Sequence, residues 1–144
     1  MREMKVGAIH RVDGRLATCL LRLLDHSPEA EADYPIEAIF GEKRWTRHAS
    51  DYFASLALVR RELEAEGWLL SCYGASKNVW PSGMCRDMGG GLLAYRLRMG
   101  HVAKQMDLVD IFESGADFEP ATVDEQEEFA KKWLASRKGD ARVK

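Results

Sequence analysis

Long apolar segments are missing from this sequence. Its longest fully apolar run is far too short to cross a bilayer, so we expect no membrane-spanning segment and no membrane partner. No basic segment precedes an apolar one near the first residue, so we expect no secretory signal. Cysteines are also few: Cys19, Cys72 and Cys85 are odd in number and widely spaced. This pattern fits a reducing cytoplasm better than a disulfide framework, and we therefore expect a cytoplasmic protein.

The sequence also lacks the spacings that hold metals and phosphates. It contains no C-x-x-C, H-x-H or H-x-x-x-H pair, so we expect no metal site. Gly91 is followed by Leu92 and not by Lys-Ser or Lys-Thr, which excludes a P-loop. Gly89, Gly91 and Ala94 match the spacing G-x-G-x-x-A, but no apolar strand precedes them and no long helix follows. We therefore expect no cofactor, and we assign no catalytic residue.

The composition is that of an ordinary globular protein, with 46% hydrophobic and 31% charged residues. A net charge of -2 gives no overall attraction to nucleic acid or to an anionic membrane. A chain of 144 residues is large enough for one domain with its own core. We predict a single domain over residues 1–138, followed by a flexible tail at 139–144.

Hydrophobic periodicity predicts an α+β fold, a mostly antiparallel sheet with two main helices packed on it. Strands are predicted over 5–12, 36–40, 68–73, 93–99 and 108–112, and helices over 50–66 and from 123 to about 136. Segment 16–24 fits both a helix and a strand, and the Asp13-Gly14 pair before it favours a hairpin. Segment 25–33 is predicted to be a loop. Thr122 and Glu125 predict a capping box at the start of the last helix, whose inward face is expected to hold Phe129, Ala130, Trp133 and Leu134.

The segment NVWPSGMCRDMGGG, residues 78–91, is unlike the rest of the chain. We predict an irregular loop between two strands. Pro81 cannot donate to a ladder, so the chain must leave the sheet there. Glycines that allow positive φ angles are expected to turn it back toward the next strand. These glycines are Gly83, Gly89, Gly90 and Gly91.

Side chains of the same segment are expected to fix the loop and to present a surface. Arg86 and Asp87 are each predicted to make a hydrogen bond or salt bridge within the fold. Met84 and Met88 are predicted to plug the core beneath. A rigid loop of this kind could present Trp80 and Arg86 to a partner.

Charge is unevenly spread along the chain. Nine acids and no lysine or arginine lie between residues 107 and 128. Four of them fall in the first turns of the last helix, where the helix dipole favours them. Nothing local in the sequence requires the others that we single out, which are Asp107, Asp110, Glu113 and Asp117. We predict that these four form an acidic surface that attracts a basic partner.

The string EGWLLSCYGASKNVWPSGMCRDMGGGLLAYRL, followed by LVDIF and by the terminal EQEEFAKKWLAS, covers roughly residues 66–136. This layout resembles small uncharacterised bacterial single-domain proteins and toxin-immunity proteins. The resemblance implies a bacterial protein that acts by binding, and it supplies no catalytic residues.

Our leading hypothesis is a non-catalytic binding protein of the immunity or adaptor kind. Its acidic surface would cover a basic site on a protein partner, such as a basic toxin or enzyme, and Trp80 and Arg86 would add contacts. The oligomeric state is left open.

Two alternatives remain. The first is a small-molecule-binding domain or enzyme built on the glycine-rich segment 82–91, in which Arg86 holds an anionic group and Cys85 or Asp87 does the chemistry. It predicts a pocket lined by Tyr73, Tyr95 and Trp80. The second is nucleic-acid binding through the basic residues between 43 and 61, which the acids on the same helix disfavour.

Overall fold

The computed structural model describes residues 1–25 and 33–141, and the side chains of the last helix as far as Ser136. Over these residues the chain has eight strands in two antiparallel sheets and three helices, which confirms the α+β class. The strands are β1 (Arg2–His10), β2 (Leu16–Leu23), β3 (Ile36–Phe40), β4 (Lys43–Arg47), β5 (Trp68–Ser71), β6 (Val79–Trp80), β7 (Leu93–Arg96) and β8 (Leu108–Asp110). The helices are α1 (Tyr52–Glu64), α2 (Gly83–Gly89) and α3 (Val123–Ala141), with 3₁₀ turns at Tyr73–Ala75 and Gln105–Asp107. No helix in the described part of the chain combines the length and the apolar character that crossing a membrane requires.

The first two strands form a hairpin, so the ambiguous segment 16–24 is a strand and not a helix. Gly14 in the turn has a φ of 74°, which glycine adopts without steric cost. The Asp13 carboxylate accepts the amide of Arg15 at 2.9 Å, and the Gly14 amide donates to the carbonyl of His10 at 2.9 Å. Turn chemistry therefore decides between the two structures that the spacing of the leucines allows.

The larger sheet has the strand order β4-β3-β2-β1-β5, and α1 packs against it. The core forms where the apolar face of the sheet meets the apolar side of this helix. Its main members are Val6, Ala8, Cys19, Leu21, Ile36 and Ala38 from the sheet, and Phe53, Leu56, Val59 and Leu63 from the helix. Asp51 caps α1 by accepting the amide of Ala54 at 2.7 Å.

Strand β4 is not predicted by the sequence. Its residues, KRWTR, place charged groups on both faces, so no apolar alternation marks it as a strand. β4 forms an edge of the larger sheet. Lysine and arginine on an edge strand hinder pairing with a second chain, because a partner strand would have to bury their charges.

The smaller sheet has the order β6-β7-β8. Trp80 lies opposite Tyr95 in the β6–β7 pair, and Tyr95 lies opposite Leu108 in the β7–β8 pair. A backbone hydrogen bond connects the two sheets: the amide of Gly74, which follows β5, donates to the carbonyl of Ile111, which follows β8, at 2.7 Å. β7 ends at residue 96, earlier than the predicted end at 99.

The segment 78–91 is more regular than predicted, because it holds β6 and α2. The strand ends immediately before Pro81, as predicted, and Ser82 then caps α2 by accepting an amide of its first turn at 3.0 Å. The prediction that Met84 and Met88 plug the core is wrong. They lie on the outward side of α2 and are 74% and 83% exposed, because this short helix turns their side chains to solvent.

The glycines of this segment divide into two kinds. Gly90 and Gly91 have φ angles of 64° and 75° and end α2, which confirms their predicted role. Gly83 and Gly89 lie inside the helix and do not have positive φ angles, so the prediction for these two is wrong.

Helix α3 begins with the predicted capping box. The Thr122 amide donates to the Glu125 carboxylate at 2.8 Å, and the Glu125 amide donates to the Thr122 hydroxyl at 3.1 Å. The predicted inward face of α3 is confirmed at Ala130, which is buried, and is wrong at Leu134, which is 50% exposed. Val123 and Gln126 are also buried on this helix.

The backbone is helical as far as Ala141, so the predicted boundary between helix and tail falls too early. Residues 142–144 of the predicted tail, and residues 26–32 of the predicted loop, lie outside the described residues.

A buried polar network ties α3 to the rest of the fold. Arg60 is 2% exposed and Gln126 is 1% exposed. The Arg60 guanidinium donates to the Gln126 side-chain oxygen, to the carbonyl of Gly74 at 3.1 Å and to the carbonyl of Ala121 at 3.1 Å. Burial lowers the pKa of Arg60 to about 10, so the group stays charged at neutral pH. A buried charge needs such acceptors, and most of them come from the last third of the chain.

Candidate functional site

A cavity lies between the smaller sheet, the segment 97–103 and helix α3. Its volume is about 610 Å³. Aromatic and aliphatic side chains make up most of its wall. The lining residues of the cavity are Trp80, Pro81, Ser82, Gly83, Tyr95, Leu97, Val102, Ala103, Glu127, Ala130, Lys131, Trp133 and Leu134. We call this space the aromatic pocket.

One wall of the aromatic pocket comes from β6 and β7. Trp80 and Tyr95 are directly opposite each other in this antiparallel pair, so their side chains share one face of the sheet. The Trp80 ring packs edge-on against Phe53 with ring centroids 5.3 Å apart, and the Arg86 guanidinium lies 5.4 Å from its centroid. These contacts hold the indole in place from behind the pocket.

The opposite wall comes from α3 and the segment that packs on it. The Trp133 indole donates from Nε1 to the carbonyl of His101 at 3.0 Å. The amide of Gly100 donates to the hydroxyl of Ser136 at 2.9 Å. Leu97 is buried and closes the floor. Both hydrogen bonds tie the segment 97–103 to α3, so contacts within the fold hold this wall in place.

Two charged residues line the aromatic pocket, and they carry opposite signs. Glu127 is half-buried and Lys131 is exposed. They are four residues apart on α3, which places them on the same face of the helix. Within residues 1–25 and 33–136, neither side chain makes a salt bridge or a hydrogen bond. The charges of Arg60 and Arg61, both on α1, act on Glu127. Arg61 has its own ion pair with Asp124 at 3.0 Å.

Arg86 has a role inside the fold. Its guanidinium pairs with the Asp51 carboxylate at 2.9 Å and lies 5.2 Å from the centroid of the Phe53 ring. It therefore holds α2 against the start of α1, which confirms the prediction that it fixes this segment. Asp87 is exposed and makes no such bond to any described residue, so the same prediction for Asp87 is wrong.

The pocket differs from the one that the enzyme alternative predicts. Trp80 and Tyr95 line it, but Tyr73 does not, because the Tyr73 hydroxyl donates to Asp117 at 2.7 Å elsewhere. The three side chains expected to hold an anion and to do chemistry are outside the lining. These are Arg86, Cys85 and Asp87.

The acidic residues of the predicted surface are mostly used within the chain. The Asp107 carboxylate accepts the amide of Lys104 at 2.9 Å. The Asp110 carboxylate pairs with Arg2 at 2.9 Å and accepts the amide of Phe112 at 2.8 Å. The inference that nothing local requires these two residues is therefore wrong, because each carboxylate fixes the turn beside it.

The same holds for a third acid of this surface. Asp117 accepts from the Tyr73 hydroxyl and pairs with Arg96 at 3.2 Å, and the Tyr73 hydrogen bond lowers the pKa of the Asp117 carboxyl. Glu113 differs, because its side chain is exposed and makes no bond to a described residue. Of the four predicted acids, Glu113 alone leaves its carboxylate open to a partner within the described part of the chain.

The basic residues between 43 and 61 are also engaged. Four of them pair with acids and the fifth is buried: Lys43 with Glu66, Arg44 with Glu37, Arg47 with Glu62, Arg61 with Asp124, and Arg60 in the core. Paired cations offer little attraction to phosphate groups, so this stretch gives no support to nucleic-acid binding.

The wall of the aromatic pocket formed by β6 and β7 was predicted from the sequence, and the wall formed by α3 was not. Trp80 and Tyr95 were indicated by their place beside the glycine-rich segment. The contributions of Val102, Glu127 and Lys131 were missed, and no local signal marks them, because only the packing of α3 brings them to the smaller sheet. In the part of the chain that is described, no group of three or more His, Cys, Asp and Glu side chains is placed to hold a metal ion.

Comparison with known proteins adds no assignment to this geometry. Neither a scan of protein-family models nor a search of curated proteins produced a match to the chain.

Proposed function

We propose that this chain is a non-catalytic binding protein and that the aromatic pocket is its ligand site. The observation that carries the proposal is a cavity of about 610 Å³ with three aromatic residues in its wall. This volume lies within the range of about 300–1,000 Å³ that is usual for ligand pockets, and such pockets are mostly apolar with few polar groups.

The lining chemistry supports binding over catalysis. The polar side chains in the wall are Ser82, Tyr95, Glu127 and Lys131, besides the indole nitrogens of the tryptophans. The Ser82 hydroxyl caps α2, and the lining holds no histidine that could activate it. The nitrogen of Trp133 is already bonded to a backbone carbonyl. A nucleophile paired with a base is the minimum for covalent catalysis, and this wall does not supply one.

The proposal can be tested with 1-anilinonaphthalene-8-sulfonate, an aromatic dye that fluoresces in apolar pockets. Gly83→Phe adds a ring to the pocket wall, and Gly89→Phe adds the same ring at the other end of α2, outside the lining. A Cβ atom at either glycine meets no heavy atom within 4 Å, so both variants fit the fold. Both replacements also remove a helical glycine, so their effects on helix stability match.

We expect the dye to bind the wild type and Gly89→Phe at one site with similar Kd. In Gly83→Phe we expect the Kd to rise by about tenfold or more, since the added ring occupies the space of the ligand. Equal dye binding in the two variants would show that the aromatic pocket is not the site, and an absence of dye binding to the wild type would refute the proposal.

A protein partner held by the acidic surface is a second proposal, which has its own support. Glu113 is exposed and unbonded among the described residues, and it lies in the acidic stretch. Under this proposal the protein acts like an immunity or adaptor protein in the cytoplasm, which the three free thiols support. Co-purification of a partner with the wild type and with Glu128→Lys, but not with Glu113→Lys, would support it. Equal recovery with both variants would contradict it.

A further inference from the structure

We propose that the aromatic pocket takes a small aromatic zwitterion, a molecule that carries an ammonium group and a carboxylate close to an aromatic ring, as an aromatic amino acid does. This inference rests on the proposed function and deepens it. Its basis is the pair of opposite, unbonded charges in an otherwise apolar and aromatic wall.

The walls favour a flat aromatic ring. Trp80 and Tyr95 from the sheet and Trp133 from α3 all line the cavity. Aromatic side chains give large contact areas and pack well against another ring, edge-on or offset. The indole nitrogen of Trp133 is already bonded to the carbonyl of His101, so its remaining contribution to a ligand is its apolar surface.

The charged pair favours a ligand with both signs of charge. Glu127 and Lys131 are one turn apart, which is about 6 Å along the helix axis. Their long side chains can reach an ammonium and a carboxylate on neighbouring atoms of one ligand. A purely cationic ligand would place its charge beside Lys131, and a purely anionic one would place it beside Glu127. A zwitterion offers each of the two residues a group of opposite charge.

The surroundings leave these charges available. The charges of Arg60 and Arg61 act on Glu127. Arg60 is bonded to buried acceptors, and Arg61 is occupied by its ion pair with Asp124. The cavity of about 610 Å³ has room for an aromatic ring and its charged head group together. An indole ring, the largest among the amino acids, is therefore a suitable test ligand.

Three indole compounds separate the contributions of the charges. L-tryptophan carries both charges, tryptamine carries only the ammonium, and indole-3-propionate carries only the carboxylate. Each is titrated against the bound anilinonaphthalene dye, and the Kd is calculated with the dye affinity of the variant in use. We expect tryptophan to bind at least about threefold more tightly than either of the others.

Charge-neutral variants assign each contact. In Glu127→Gln we expect the Kd of tryptophan and tryptamine to rise about threefold to fivefold, and the Kd of indole-3-propionate to fall, because its carboxylate no longer lies beside a like charge. In Lys131→Gln we expect the Kd to rise about twofold for tryptophan and indole-3-propionate and to fall for tryptamine. These changes are smaller because Lys131 is more exposed than Glu127. Glu128→Gln and Lys132→Gln are matched controls, since both residues are exposed on α3 outside the pocket lining.

The outcomes distinguish the two proposals. If all three indoles displace the dye equally well, or if the variants at Glu127 and Lys131 behave like their controls, the zwitterion inference is overturned and the binding site stands. If the dye binds but no indole displaces it, the pocket is a ligand site of another chemistry, and the inference is again overturned. If the dye itself does not bind, the proposed function fails, and this inference fails with it.

Discussion

Replacing Gln126 by alanine tests the buried network that joins α3 to the two sheets. The side-chain nitrogen of Gln126 lies within hydrogen-bond distance of three carbonyls, which share its two hydrogens: those of Gly74 at 3.0 Å, Ser76 at 2.9 Å and Val79 at 3.0 Å. Its side-chain oxygen accepts from Arg60. The alanine variant removes all of these contacts from a buried place, since Gln126 is 1% exposed.

The cost of this change follows from the partners that are left unbonded. The Gly74 carbonyl still accepts from Arg60, and the Ser76 carbonyl still accepts from the amide of Val79 at 3.2 Å. The Val79 carbonyl loses its side-chain donor, and the buried Arg60 guanidinium loses an acceptor. An orphaned buried carbonyl costs about 1–3 kcal/mol, and a hydrogen bond to a charged group contributes about 1.5–3 kcal/mol. We therefore expect the free energy of unfolding to fall by about 4 kcal/mol, a large part of the about 5–15 kcal/mol of a typical domain.

Urea unfolding followed by circular dichroism measures this loss. With an m-value of about 2 kcal/mol/M, a loss of about 4 kcal/mol lowers the unfolding midpoint by about 2 M. Gln105→Ala is the matched control, because Gln105 is exposed in a 3₁₀ turn, and we expect its midpoint to stay within about 0.3 M of the wild type. A midpoint shift below about 0.5 M for Gln126→Ala would show that the network does not carry the stability assigned to it here.

Two further predictions concern a glycine and the thiols. Gly91→Ala should lower the free energy of unfolding in urea by about 2–4 kcal/mol, because φ is 75° and the new Cβ lies 2.8 Å from the Asp51 carboxylate. Gly14→Ala is the control: its φ is 74° and its Cβ meets no atom within 4 Å, so it should cost about 1–2 kcal/mol. Equal losses in the two variants would contradict the close contact at Gly91. At pH 8 a disulfide reagent such as dithiobis(nitrobenzoate) should react rapidly with Cys85 alone among the three thiols, because Cys85 is only half-buried. Cys19 and Cys72 are buried, and burial raises their pKa values to about 12 and about 11. Cys85→Ser should abolish the fast phase, and rapid reaction of a second thiol in the native protein would refute this assignment.

Local chemistry explains the parts of the fold that could be predicted from the sequence. The Asp13-Gly14 turn favoured the hairpin, and Thr122 with Glu125 marked the start of α3, because both signals depend on bonds between near neighbours. β4 was missed because an edge strand with charges on both faces has no apolar alternation. α2 was missed because its glycines and the preceding proline are typical of loops, although Ser82 was present as a capping signal.

The candidate site shows where such reasoning stops. The acids at 107, 110 and 117 looked free in the sequence because their partners are distant or are backbone amides. The α3 residues that line the aromatic pocket lie more than 20 residues beyond the rest of its lining along the chain, so only tertiary packing brings them together. Charges in a sequence indicate a surface only after the structure shows which of them are already paired.

The strand order of the larger sheet has a consequence for synthesis of the chain. β1 pairs with β2 on one side, but its other side waits for β5, which begins at Trp68. The 20 residues 48–67 separate the end of β4 from the start of β5. At about 5–20 residues per second, a ribosome needs about 1–4 s to make them. During that interval the open edge of β1, residues 7–10, is free to pair with another nascent chain, and slower translation of this stretch lengthens the exposure.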